Sequence, residues 1–157
     1  KLPVTLRKNI TFTQSGINVQ YILRNESEEE LNGFFAVELN FAQTRFDKNY
    51  ANGDQYTTEI VHNEELKQFD YKKKFSFNNG VSFIHITDQA DKRVFVIEPN
   101  ELAGYSCSLL AFKRPVKSES PEETSKTLVS SLFWEINIAP GMEKEKSIFL
   151  NIIPVKK

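Results

Sequence analysis

The sequence predicts an all-β chain folded as an antiparallel β-sandwich, and three observations predict it. Apolar side chains recur at every second position in several segments, and short polar turns separate those segments. The helical spacing of three and four is not sustained over any long stretch. Alternation at a period of two puts one side of each segment into a core, and antiparallel strands joined by short turns build a sandwich or barrel.

In chain order, Ile10–Thr13 and the alternating run Ile17, Val19, Tyr21, Leu23 flank Gln14-Ser15-Gly16, which reads as a first hairpin. Glu26–Glu30 is an acidic, solvated turn. Phe35, Val37, Leu39 and Phe41 then alternate with Ala36, Glu38 and Asn40. Asn49–Gln55 lacks any pattern, as does Lys113–Lys126 with its two prolines, and both are expected to be loops. Asn78-Asn79-Gly80 separates Phe75–Phe77 from Val81–Ile86 and predicts a second hairpin, because Asn-Gly supplies the positive φ angles of a type I′ turn. Asp88–Asp91 turns the chain toward Val94–Ile97. Leu132, Trp134, Ile136 and Ile138 form an inward set. Pro140-Gly141 is expected to turn that strand into the last one, where Ile148, Leu150 and Ile152 point to the core.

The length of 157 residues suits one domain, 1–157, with a real core. Twenty basic against 21 acidic residues argue against a nucleic-acid partner, which needs a basic excess; Lys72-Lys73-Lys74 is the one local basic run. The apolar runs are too short for a membrane span, so no membrane partner is expected. Cys107 is the single cysteine, in an apolar stretch, and reads as a small buried hydrophobe in a reducing, cytoplasmic setting. Lys1 opens abruptly on a strand-like segment and Val155-Lys156-Lys157 looks like a natural end, which predicts a piece cut from the C-terminal part of a longer polypeptide.

No catalytic set is expected. Nucleophilic catalysis needs a base beside the nucleophile, and the two histidines fall in unpromising places. His85 lies on the face opposite Ile84 and Ile86, and His62 precedes a turn-like stretch and should be exposed. A Gly-x-Ser-x-Gly elbow and phosphate-binding glycine loops are absent. The loop carrying Asp47, Asn49, Asn52 and Asp54 fails the EF-hand pattern, with Asn52 at the glycine position and Thr58 at the glutamate position, so no metal or other cofactor is predicted. Asn9-Ile10-Thr11 and Asn25-Glu26-Ser27 match the N-glycosylation triplet, which means little without secretion.

Carbohydrate recognition is the chemistry the remaining residues suit. Aromatic faces stack on the apolar side of a pyranose while amides and carboxylates reach its hydroxyls. Tyr50 and Tyr56 flank the Asn/Gly/Asp loop, and Glu38 interrupts the run Phe34–Phe41 on the solvent face, so Tyr50, Tyr56 and Glu38 are the candidate carbohydrate-binding residues. Tyr71 is a further exposed aromatic, whereas Trp134 belongs to the core.

Three segments together carry a family resemblance: VQYILRNESEEELNGFFAVELNF over Val19–Phe41, IHITDQADKRVF over Ile84–Phe95, and FWEINIAPGMEKEKSIF over Phe133–Phe149. Their order and spacing resemble the C-terminal β-sandwich domain of the α-amylases and 4-α-glucanotransferases of glycoside hydrolase family 57. The resemblance implies a sandwich similar to the galactose-mutarotase supersandwich. It also implies a partner, an N-terminal catalytic barrel of the same polypeptide that bears the nucleophile and the acid/base carboxylate. The expected role is non-catalytic, packing on and supporting that barrel, with α-glucan as a further expected partner, and the isolated chain is expected to be inactive. Two rival readings are an independent carbohydrate-binding module and a protein-interaction sandwich unrelated to sugars.

Overall fold

The computed structural model describes residues 3–42, 56–69, 74–113 and 124–155. Among them the chain forms ten strands and no helix. These are β1 (Val4–Phe12), β2 (Ile17–Asn25), β3 (Leu31–Ala42), β4 (Tyr56–His62), β5 (Glu65–Phe69), β6 (Phe75–Asp88), β7 (Arg93–Pro99), β8 (Ala103–Lys113), β9 (Thr124–Ile138) and β10 (Glu143–Pro154). Every pairing is antiparallel, and the hydrogen-bonded order is β1-β2-β10-β7-β6-β8-β9-β3, with the β4–β5 hairpin attached to β6.

This sheet bends back on itself. Tyr21 on β2 meets Phe35 on β3 with ring centroids 5.4 Å apart, and Phe95 on β7 meets Phe41 on β3 at 4.8 Å. Neither pair of strands is hydrogen-bonded, so these rings touch across the core. One layer is β1-β2-β10-β7 and the other is β8-β9-β3, with aromatic and branched side chains between them. Ile60, Ile84, Ile86, Ile97, Leu128, Leu132 and Ile148 are fully buried there, each contributing roughly 1.5–3 kcal/mol relative to exposure.

The strand that joins the layers is β6, and here the expected second hairpin is corrected. Phe75–Phe77 and Val81–Asp88 belong to one strand, with a register irregularity between Phe77 and Val81. The first half pairs with β8, while Ile84–Asp88 pairs with β7 and β4. Gly80 has φ +91°, so Asn78-Asn79-Gly80 uses the positive φ for a bulge at which one strand passes from one layer to the other. Pro140-Gly141 turns the chain between the last two strands as expected; β9 and β10 do not pair, and the turn crosses between layers. The Gln14-Ser15-Gly16 hairpin is as expected, with Phe12 opposite Ile17.

Asn25 locks this crossing. It is fully buried, and its amide Nδ2 donates to the carbonyls of Glu29 and Ile138, at 2.7 and 2.9 Å. Its Oδ1 accepts from the backbone N–H and the hydroxyl of Ser27. Its own backbone bonds Met142 and Gly141. One side chain therefore ties the end of β2, the β2–β3 turn and the end of β9, and the buried amide offers no glycan-acceptor position in the folded chain.

The alternating sets of β2 and β9 are inward as expected. Ile152 is the exception on β10, being 58% exposed. On β1 the departure is larger. Val4, Leu6, Ile10 and Phe12 stand opposite Asn25, Leu23, Val19 and Ile17, hence on the core-facing side. They are nevertheless 43, 55, 53 and 78% exposed, because β1 is the last strand of its layer and overhangs the other.

Candidate functional site

The outer face of the β3–β9–β8 layer is built from the residues that alternate away from the core. Residues directly opposite one another on neighbouring strands share a face. The register therefore assembles Phe34 beside Glu135, then Ala36, Phe133 and Gly104, then Glu38, Ser131, Ser106 and Ser76. Four residues of strand separate Phe34 from Glu38, about 13 Å.

At the Phe34 end lies a cavity of about 560 Å³ lined by Phe34, Asn78, Asn79, Glu101, Phe133 and Glu135, among others. Phe34 is 71% exposed and meets Phe133 edge-on, with centroids 6.3 Å apart and planes at 76°. Phe133 lies down across Gly104, where a β-carbon would run into its ring and come within 2.6 Å of the Asn78 carbonyl. Only glycine admits this arrangement. The bulge in β6 presents Asn78 and Asn79 to the same space, and Asn79 Oδ1 accepts from the Gly80 N–H at 2.8 Å.

The loop supplying Glu101 is anchored from inside. Lys146 is only 2% exposed, pairs with Glu101, and sits 5.8 Å from the centroid of Trp134. Burial pushes its ammonium below the ordinary lysine pKa. Asn100 adds two bonds to Ser147, one through its backbone N–H and one through Oδ1.

A second cavity, about 530 Å³, lies at the other end of the sandwich between the β1–β2 turn, β3, β7 and β10. Its walls include Phe12, Ile17, Leu39, Phe41, Leu150 and Ile152, and they are predominantly apolar. Ile152 thus faces inward but into open space.

Of the three residues predicted to bind carbohydrate, Glu38 stands exposed on the outer face, with Asn40 Nδ2 donating to its Oε1 at 2.9 Å. Tyr56 lies in the core at 5% exposure rather than on the surface, since Tyr56, Thr58 and Ile60 form the inward set of β4. Tyr50 falls outside the described residues, as do Tyr71 and the loop of Asp47, Asn49, Asn52 and Asp54. Sequence reasoning passed over Phe34 and Phe133. Both are aromatics on the polar phase of a strand, and that misfit was the available signal.

The histidines sit among aromatic rings and charged side chains. His62 is half-buried rather than exposed, stacked on Phe77 at 4.2 Å with Lys67 Nζ 3.2 Å from Nδ1. His85 stands 3.9 Å from Glu59 and 4.2 Å from the Phe83 ring. Among the described residues no three His, Cys, Asp or Glu side chains converge on a metal position. Cys107 is buried, and burial pushes its thiol up to about 11. At pH 8 the thiol is accordingly neutral, and alkylation by iodoacetamide is expected to be negligible until denaturant opens the fold, as mass spectrometry would read.

Comparison with known proteins gives a consistent picture. The 4-α-glucanotransferase of Thermococcus litoralis superposes with a TM-score of 0.59 at 16% identity, over 96% of this chain and 18% of that one. A galactose mutarotase-like protein from Lactobacillus casei matches at 0.62 and 9% identity, over 97% of this chain and 64% of that one. A putative aldose 1-epimerase from Escherichia coli K12 matches at 0.62 and 11%, over 98% and 62%. The chain thus spans less than two thirds of each. At these identities the likeness shows the fold, a galactose mutarotase-like sandwich. No curated protein matches the sequence significantly. Residues 1–104 match the model of the family described as alpha-amylase/4-alpha-glucanotransferase, C-terminal, and the chain belongs to that family.

Proposed function

We propose that the chain is a non-catalytic domain that packs on and supports a catalytic barrel of the same polypeptide, in an enzyme acting on starch or related α-glucans. The observation that carries this reading is the uncovered core-facing stripe of β1, Val4, Leu6, Ile10 and Phe12, continuous through Phe12 with the apolar cavity. Contiguous exposed apolar surface of this kind marks a contact site. Lys8, between Leu6 and Ile10, covers Tyr21 with its ammonium 5.4 Å from the ring centroid, so even the polar member of the stripe faces the same way. The occupant proposed is the rest of the polypeptide, consistent with the chain spanning 18% of the glucanotransferase it resembles in fold.

The test compares the long polypeptide with the 157-residue chain. Charging the stripe by Ile10→Glu with Phe12→Glu is expected to lower the Tm of the long polypeptide by about 5 °C or more, because the glutamates are buried unpaired at the contact. The same pair of substitutions in the 157-residue chain, where both positions face water, should shift Tm by no more than about 1 °C. Equal shifts in the two proteins would overturn the reading.

A further inference from the structure

We propose that the outer face of the β3–β9–β8 layer is an α-glucan-binding surface, centred on the cavity of Phe34, Phe133, Asn78, Asn79, Glu101 and Glu135. This deepens the proposed function and rests on its assignment of α-glucan as the material the parent enzyme handles.

A glucan presents two kinds of surface at once: apolar C–H faces and a dense array of hydroxyls. A site for it needs aromatic faces and convergent amides or carboxylates within one sugar's reach. The two cavities described above divide on this criterion. The one beside β1 is predominantly apolar, and its polar members Thr13, Gln14, Ser15, Asn40 and Asn151 bring hydroxyls and amides but no carboxylate. The one on the outer face sets two phenyl rings at 76° to each other, forming a corner, and surrounds them with two amides and two carboxylates.

The arrangement is also built rather than incidental. Phe34 and Phe133 occupy the polar phase of their strands, where the core gains nothing from an aromatic. Gly104 provides the only floor on which Phe133 can lie. The β6 bulge delivers the two asparagines, and the buried Lys146 holds the loop of Glu101 in place. Rigid support of this kind keeps the ordering cost of binding low. From the cavity, the hydroxyl row Ser76, Ser106 and Ser131 leads across the strands to Glu38, supplying further donors and acceptors for a longer chain.

Isothermal titration of the 157-residue chain with maltoheptaose, with cellohexaose as the β-linked control, tests this. Saturable binding of maltoheptaose in the millimolar range or tighter is expected, with at least about tenfold weaker binding of cellohexaose. Phe34→Ala, at an exposed position, should weaken maltoheptaose binding about tenfold through loss of the stacking face. Glu135→Ala, across the strand from it, should weaken binding severalfold, and Leu66→Ala, an exposed apolar residue on β5, should leave it unchanged. Absence of saturable binding by the unmodified chain, undiminished binding by Phe34→Ala, or equal binding of both sugars would overturn the proposal. The support role is read without sugar, from the Tm of the long polypeptide, so either reading can fail alone.

Discussion

Replacing Asn25 by Asp is expected to destabilise the fold by about 3–5 kcal/mol at pH 7, the cost of an unpaired buried charge. The amide of Asn25 donates to two carbonyls, and a carboxylate would offer those carbonyls only repulsion. The effect should also depend on pH in a definite sense. A carboxyl in this site ionises at a higher pH folded than unfolded, since burial and two facing carbonyl oxygens disfavour its charge more than the two Ser27 donors to Oδ1 favour it. Its folded-state pKa lies above the unfolded value of about 3.9, so the penalty is small below that pH and grows as pH rises toward neutrality. Asn25→Ala loses the same donors without adding charge and should cost about 2–3 kcal/mol with no such slope. Urea unfolding at pH 4 and pH 7, followed by far-UV circular dichroism, separates the two. A pH-independent loss in Asn25→Asp would show that hydrogen bonds alone matter there.

Trp134→Ala is expected to cost a comparable 3–5 kcal/mol, for a different reason. Its indole is stacked on Phe35 across the β3–β9 pair, with centroids 6.1 Å apart and planes at 19°, and it reaches Lys146 on the opposite layer. Truncation empties the space between the layers, which the fixed strands cannot close. Trp134→Phe keeps a ring there and removes a buried indole N–H that has no hydrogen-bond partner among the described residues, so it should lose less than half as much. A loss below about 1.5 kcal/mol for Trp134→Ala would mean that the layers close over the gap.

Much of the fold was legible because burial in a half-covered sheet imposes a period of two. The inward sets of β2 and β9 are read directly from alternation. What alternation cannot report is which strands pair and where each layer ends. Asn78-Asn79-Gly80 requires positive φ whether it closes a hairpin or bulges a long strand, and the choice was made by β8, β7 and β4 pairing with different halves of β6. The stripe on β1 and Ile152 have the inward phase, yet the opposing layer stops short of the one and a cavity opens beside the other. Tyr56 was misjudged because Thr58, a buried polar residue, hides the alternation of β4. Glu38 was placed on the solvent face by its phase, and Phe34 and Phe133 share that phase.

The pairing of β3 with β9 has a consequence for how the chain reaches this state. Leu31 meets Ile138, roughly a hundred residues further on, and Ala42 meets Thr127. During synthesis β3 emerges long before its partner and waits with both edges unpaired, carrying Phe34, Phe35, Leu39 and Phe41. Closing so large a loop costs entropy before any contact repays it, which places the chain among slow folders of high contact order. The acidic turn just before β3 and Glu38 within it put charge next to that exposed apolar run, where it opposes edge-to-edge association until β9 arrives.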